Sequence, residues 1–316
     1  MNTPQTLQDA ITYFSDPERA FVYMVNWRWP DRHVTCPRCG HDKHSFIKTR
    51  WMWFCKGCKK QFTAKVGTIF EDSPIPFTKW LPAMWLIANC KNGISSHELA
   101  RDLGVTQKTA WFMLHRLRLA LQSDTGAMLG GNGSPVEVDE TYYSPNLRKM
   151  HNDRRGRAKK SGRAIVMGLL ERDGHVRASV IPSTERKPLH ANIKKHVAAG
   201  ATVYTDNWAP YFLMGDEYLH EVVVHSEYYV RGQVHTNGIE NFWSLLKRGL
   251  RGTYVSVEPF HLDRYLDEQV FRFNTRKDGD RKITDAERFN IALSQVAGKR
   301  LTFAEVTGKT GSAAQA

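Results

Sequence analysis

The spacing of apolar residues divides the chain into a helical part and an alternating part. Between residues 77 and 121 apolar positions recur every three or four residues: Trp80, Met84, Trp85 and Ile87, then Leu99 and Leu103, then Trp111, Leu114 and Leu117. That recurrence marks one face of a helix, and three helices fit. Ser95-x-x-Glu98 supplies a capping box for the second, and Gly104-Val105-Thr106 breaks the chain before a third that starts near Gln107. Trp111 and Leu114 are expected in the core of this bundle.

From residue 135 onward the period shortens to two. The run Val136-Glu137-Val138-Asp139-Glu140-Thr141-Tyr142-Tyr143 alternates like a strand, and residues 163–171 and 175–182 form two more such runs joined at Asp173-Gly174, a hairpin signal. A helix-like segment over 187–199 leads to a short buried strand over 201–206. A fifth strand is predicted at 221–225, followed by amphipathic helices over 236–248 and 260–274. The resulting order, βββαβαβα, is that of a ribonuclease-H-like fold: α/β, with a mixed five-stranded sheet and helices.

Between the two parts, residues 125–135 hold four glycines and no periodicity, the composition of a flexible linker. The predicted organisation is an N-terminal segment with a zinc ribbon over 1–70, a helix-turn-helix domain over 75–124, the linker, a ribonuclease-H-like domain over 136–307, and a frayed tail over 308–316. Ala100, where two helices would cross closely, and Gly104 in the turn meet the steric demands of a DNA-binding helix-turn-helix. Thr106, Gln107, Lys108 and Thr109 would then begin the recognition helix. A three-helix bundle with no role in DNA reading has the same periodicity.

Composition narrows the class. With 41% hydrophobic and 24% charged residues in 316, collagenous, low-complexity and coiled-coil proteins are excluded. Lys and Arg exceed Asp and Glu by 13, with +7 up to and including residue 124 and +6 after it. An excess spread over both parts favours a polyanion, nucleic acid first, through phosphate neutralisation. No stretch reaches the roughly 18 apolar residues of a membrane span, and the N-terminus lacks a signal-peptide pattern, so a cytoplasmic location is expected.

Four of the five cysteines fall as Cys36-x2-Cys39, then Cys55-x2-Cys58. This is zinc-ribbon spacing. Four thiolates close the coordination sphere, so one structural Zn2+ is expected, with no open position for catalysis. His33, His41 and His44 are nearby alternative ligands, Cys90 reads as a core thiol, and residues 45–54 read as one strand. The cations Arg38, Lys43, Lys48, Arg50, Lys56, Lys59, Lys60 and Lys65 interleave with aromatics around the cysteines, a pattern suited to phosphate contact and stacking.

Three acids recur at element ends in the second part. Asp139 lies in the first strand, Asp206 ends the fourth, and Glu240 sits in the following helix, with separations of 67 and 34 residues. In a ribonuclease-H-like fold the first and fourth strands are neighbours and that helix crosses over them, so the carboxylates converge. Their repulsion requires divalent cations, and two Mg2+ or Mn2+ ions would activate an attacking oxygen and stabilise a leaving one in phosphodiester chemistry. Lys247 lies two helical turns beyond Glu240 on the same face. Arg248 and Arg251 extend that basic surface, and residues 148–163, which include Arg155, Lys159 and Lys160, hold eight cations and one acid. These are the candidate phosphate contacts, with Gln107 and Lys108 in the helical part.

The motifs CPRCG, CKGC, VEVDETYY, VYTDNWAPY, HTNGIENFWSLLKRGLRGTY and YLDEQVFRFNTR resemble those of the zinc-ribbon-bearing, ISXO2-like DDE transposases of bacterial insertion sequences, over nearly the whole chain. The resemblance implies a metal-dependent recombinase that binds terminal inverted repeats, nicks to expose 3′-hydroxyls and joins them to target DNA. Asp139, Asp206 and Glu240 match its catalytic acids and Lys247 its basic residue; Asn237, one turn earlier, is the alternative at the third position. Synapsis of two ends implies a homodimer or larger assembly on double-stranded DNA, in a cytoplasmic, nucleoid-associated setting. Rival readings are a domesticated DNA-binding regulator without catalysis and a structure-selective nuclease.

Overall fold

A computed structural model describes residues 4–122, 126–149, 152, 155–156, 163–212, 214, 217–223 and 234–309. By contact the chain forms two compact units, one of Met1–Gln122 with Thr284–Ala316, the other of Ser123–Ile283.

The first unit opens with helices α1 (Leu7–Phe14) and α2 (Pro17–Arg28), each started by a side-chain cap, Thr6 and Asp16. An antiparallel three-stranded sheet follows, β1 (His44–Ile47), β2 (Met52–Cys55) and β3 (Gln61–Phe62). The single strand expected over 45–54 is therefore a hairpin. Its turn, Lys48–Arg50, closes on Trp51 in the left-handed region at φ 50°, with no glycine or proline to signal it. Trp53 stacks on Phe62 at 5.5 Å and meets Trp29 edge-on at 5.5 Å, giving the ribbon an aromatic core.

Helices α3 (Phe77–Asn89), α4 (Ser96–Leu103) and α5 (Gln107–Leu121) occupy the spans read from the periodicity. Ser95 and Glu98 form the capping box, and Gly104 ends α4 at φ 58°, a conformation that glycine takes without the Cβ penalty. Leu114 is buried as expected, whereas Trp111 is half-buried against His115 at 4.4 Å, and Cys90 is half-buried at the end of α3.

The second unit is built on five strands: β4 (Val136–Tyr143), β5 (Ala164–Glu171), β6 (Val176–Ile181), β7 (Thr202–Asp206) and β8 (Leu219–Val223). Their order is β6-β5-β4-β7-β8. Pairing is antiparallel from β6 to β4 and parallel from β4 to β8. Helix α6 (Arg186–His196) supplies Leu189 and Ile193 to a core with Val136, Val138 and Val203. Helices α7 (Asn237–Arg248) and α8 (Leu262–Asn274) build a second core with Val166 and Leu170 through Ile239, Phe242, Leu246 and Leu266. Adjacent residues of one strand enter different cores, as the pleat requires.

The glycine-rich stretch at 125–135 is not a free connection where it is described. Leu129 is 4% exposed and pairs in parallel with Val197, donating to the His196 carbonyl at 2.8 Å and accepting from Ala198 at 2.9 Å. Residues 284–306, expected at the end of the ribonuclease-H-like domain, belong with the first unit. Helix α9 (Asp285–Ser294) buries Phe289 against Phe14 and Trp85, and α10 (Phe303–Val306) follows. Helical period reveals an apolar face but not which core receives it. Residues 310–316 of the expected tail lie outside the described residues.

Candidate active site and metal centre

The cysteines are set by two tight turns. Gly40 donates to the Cys36 carbonyl at 2.8 Å and Lys59 to the Cys55 carbonyl at 3.1 Å, with Gly40 and Lys59 at positive φ. The turns abut: a Cβ on Gly57 would lie 2.6 Å from the His41 ring. All four Sγ atoms fall within 4.8 Å of one another, with Cys36–Cys58 at 3.8 Å and Cys39–Cys55 at 3.6 Å. A tetrahedral zinc at about 2.3 Å from each sulfur requires S···S of roughly 3.8 Å, so the four residues fit one structural Zn2+. The His41 amide, followed by the neighbouring thiols, pulls Cys39 down to about 7 and so favours its thiolate. His33 and His41 lie instead near Asp42, at 3.9 and 3.6 Å. Of the cations around the ribbon, Lys65 is half-buried, donates to the Ser73 and Ile75 carbonyls and is pushed down to about 8 by burial, so it is not part of a free basic face.

The sheet register arranges the acids. Val136 pairs with Val203 and Glu137 with Tyr204, an offset of 67, the same that separates Asp139 from Asp206. Asp139 shares its face of β4 with Glu137, opposite Leu170 and Gly168 on β5. Glu240 stands in the first turn of α7, exposed, accepting from Thr236 Oγ1 at 3.1 Å. Asn237, the alternative, is also exposed, at the start of the same helix.

Asp139 Oδ2 accepts from Trp243 Nε1 at 2.9 Å. Burial, and then the charges of Asp206 and Glu240, push its carboxyl up to about 6 against the bonds from Trp243 and the Glu140 amide. The three acids thus interact. They are not as tightly gathered as the thiols: among the described residues only the four cysteines bring three or more ligand atoms within 4.8 Å.

Close approach of α7 to the sheet depends on two glycines. A Cβ on Gly168 would sit 2.6 Å from the Trp243 ring, and one on Gly238 would sit 2.7 Å from Glu137 Oε2. Trp243 therefore both packs the helix and holds Asp139, a second role its apolar spacing did not reveal. On the opposite face of β4, half-buried Glu140 accepts a hydrogen bond from Tyr211, and its partial burial pushes it up to about 7. Glu137, Glu140, Arg172, Tyr211 and His235 all escaped the sequence reading. A buried acid one pleat from another acid is the available signal, legible only once the strand's faces are known.

Beyond Glu240, Lys247 is half-buried and Arg248 exposed; the helix then widens into a π turn, Gly249–Thr253, that carries exposed Arg251. Arg155 donates to the Arg148 carbonyl at 3.0 Å, while Lys159 and Lys160 lie outside the described residues. In the first unit Gln107 and Lys108 are exposed at the start of α5; Gln107 donates to Ser96 at 2.8 Å and Lys108 lies 4.9 Å over Phe303. The late motif is structural in its contacts. Arg272 and Tyr254 both donate to buried Glu268, and Asn274 clamps both backbone groups of Val176 at 2.8 and 3.0 Å. No helix among the described residues is long and apolar enough to cross a membrane.

The regions that carry the acids and the thiols both match known protein families. Residues 128–274 match the family described as ISXO2-like transposase domain, and residues 15–61 match the transposase zinc-ribbon domain. The chain is 28% identical over 284 residues to a protein of Halobacterium salinarum described as an uncharacterized protein in transposable element ISH50, covering 83% of this chain and 94% of the relative. The four-thiol ribbon and the mixed sheet with its acids are the parts these matches span, and on them the chain belongs to the ISXO2-like transposases with an N-terminal zinc ribbon.

Proposed function

We propose that this protein binds the terminal inverted repeats of an insertion sequence and catalyses metal-dependent DNA cleavage and strand transfer, with Asp139, Asp206 and Glu240 as its catalytic acids. The observation that carries the reading is the common offset of 67 residues, which joins the ladder of β4 and β7 and separates the two aspartates. The strand order, antiparallel then parallel about a central β4, supports a ribonuclease-H-like domain. The α4–α5 pair, with Gly104 in its turn, supports a helix-turn-helix.

Two Mg2+ or Mn2+ ions bound by these carboxylates would supply an activated water or 3′-hydroxyl and a Lewis acid at the leaving oxygen. Oxygen donors suit such hard cations. Carboxylates spaced more widely than the four thiols would suit a pair of such ions rather than one. Trp243 fixes Asp139 Oδ2, and Oδ1, which accepts from the Glu140 amide at 2.8 Å, would take the metal with its remaining lone pair. Lys247, Arg248 and Arg251 follow Glu240 where substrate phosphates would pass, and Arg155, Lys159 and Lys160, from the cation-rich sequence after β4, would add to these phosphate contacts. Gln107 and Lys108 open the recognition helix, so DNA binding would cost Lys108 its place over Phe303. Pairing of two ends calls for two or more copies on DNA, and a chromosomal substrate for a cytoplasmic, nucleoid-associated site of action.

The test uses labelled DNA ending in the element's inverted repeat, with supercoiled target and Mg2+ or Mn2+. Wild type is expected to give nicked and joined products, and Asp206→Asn to lose both by at least a thousandfold while still binding the end. End binding without either product in wild type would favour a DNA-binding regulator; nicking without joining would favour a nuclease.

A further inference from the structure

Beside the acids lies a second charged group, centred on a buried carboxylate. Glu137, two residues before Asp139 on the same face of β4, has a side chain 2% exposed. Its Oε2 accepts from the Ile239 amide at 2.9 Å. Its Oε1 accepts from Arg172 Nη2 at 3.2 Å and lies 3.5 Å from His235 Nδ1. Arg172 Nη2 also donates to the His235 carbonyl at 3.2 Å, and the guanidinium stands 5.0 Å over the Tyr204 ring.

Each contact falls a fixed step from one of the acids. Glu137 is two residues from Asp139, Tyr204 is two residues from Asp206, and Ile239 immediately precedes Glu240. The Ile239 amide belongs to the first turn of α7, whose amides have no partner within the helix and whose dipole favours an anion. One buried carboxylate with its guanidinium thus ties together the three segments that bear the acids. Burying an ion pair is a poor route to stability, since apolar residues of similar volume generally do as well, and neighbouring Val136 and Val138 are apolar and fully buried. What the charged group adds is direction: it fixes where α7 begins on β4, and so where Glu240 stands relative to Asp139.

We infer that Glu137, held by Arg172 and the Ile239 amide, is the positioning residue of the acid cluster, setting the distance from Glu240 to Asp139 and Asp206 and thereby the site's affinity for divalent cations. Gly238 supports this, because its missing side chain is what admits the Glu137 carboxylate to the helix end. The inference rests on the reading of the three acids as metal ligands.

The test is binding of Mn2+ alone to the full-length protein, followed by the electron paramagnetic resonance signal of the free ion, with cooperative thermal melting as the check on folding. Glu137→Gln keeps the shape and removes the charge; it is expected to melt cooperatively and to bind Mn2+ about 10- to 100-fold more weakly, the range found for residues that support metal ligands. Arg172→Gln is expected to do the same, and serves if Glu137→Gln does not fold. Wild-type Mn2+ affinity in either folded variant overturns the inference. Asp139→Asn and Asp206→Asn separate the two levels: if they too bind Mn2+ as wild type does, the reading of the acids fails, whereas if they lose binding and the clamp variants keep it, only the clamp fails.

Discussion

The thiol cluster and the acid cluster solve the problem of gathering like charges in opposite ways. The four cysteines lie within 23 consecutive positions and are aimed by two turns whose backbone bonds are local. The three acids span 102 positions and meet only because a parallel register, a crossing helix and two glycines bring their elements together. The first arrangement is closed, with its sulfur atoms already at metal-bridging distance. In the second the carboxylates stand farther apart, and Asp139 is held above its ordinary range by burial. A local site is complete once its turns form, while a non-local one inherits every error of register and needs supports of its own.

The comparison breaks first at the zinc. Cys58→Ser, or removal of zinc by a chelator, should cost the ribbon on the order of 10 kcal/mol of binding free energy. The aromatic core around Trp53 should then lose its near-ultraviolet dichroism, while the five-stranded unit keeps its far-ultraviolet signal. Unchanged dichroism with zinc removed would show that the aromatic core, and not the metal, holds the ribbon.

A smaller effect of opposite sign is expected at the acids. Asp139 has a folded value of about 6 against an ordinary 3.8, so between those values the native state holds the extra proton. Stability contributed in this way is present at the acid end and is lost as pH rises from about 4 through 6. Without divalent cations, Asp139→Asn should therefore match wild type near pH 4 and exceed it near pH 8 by roughly 3 kcal/mol, measured as denaturant midpoints at each pH. Added Mn2+ should narrow the gap. A variant equally destabilised at both pH values would mark Asp139 as a residue of the fold alone.

Legibility in the sequence followed the same division. The helices between residues 77 and 121 and four of the five sheet strands were readable because caps, hairpin turns and periodicity are properties of neighbours in the chain. The fifth strand begins two residues earlier than expected, at Leu219. The cysteine pairs were readable for the same reason. Three features were not. The turn at Lys48–Arg50 carries no glycine or proline, Phe289 packs on Trp85 more than 200 residues before it in the chain, and Leu129 makes an isolated β-bridge inside a glycine-rich stretch. Among site residues, the acids stood out by spacing, but Trp243 looked like packing and Glu137 like one polar position in an alternating strand. Both take their roles from partners about 100 residues away, Asp139 and Ile239.

The central claim is that Asp139, Asp206 and Glu240 act as one metal site. The most direct measurement is anomalous scattering from crystals of the protein soaked in Mn2+. The account predicts peaks bounded by oxygens of all three residues, with the second oxygen of Asp139 still taken by Trp243. Peaks held without Glu240, or none at these carboxylates while the protein remains competent to cleave DNA, would contradict it.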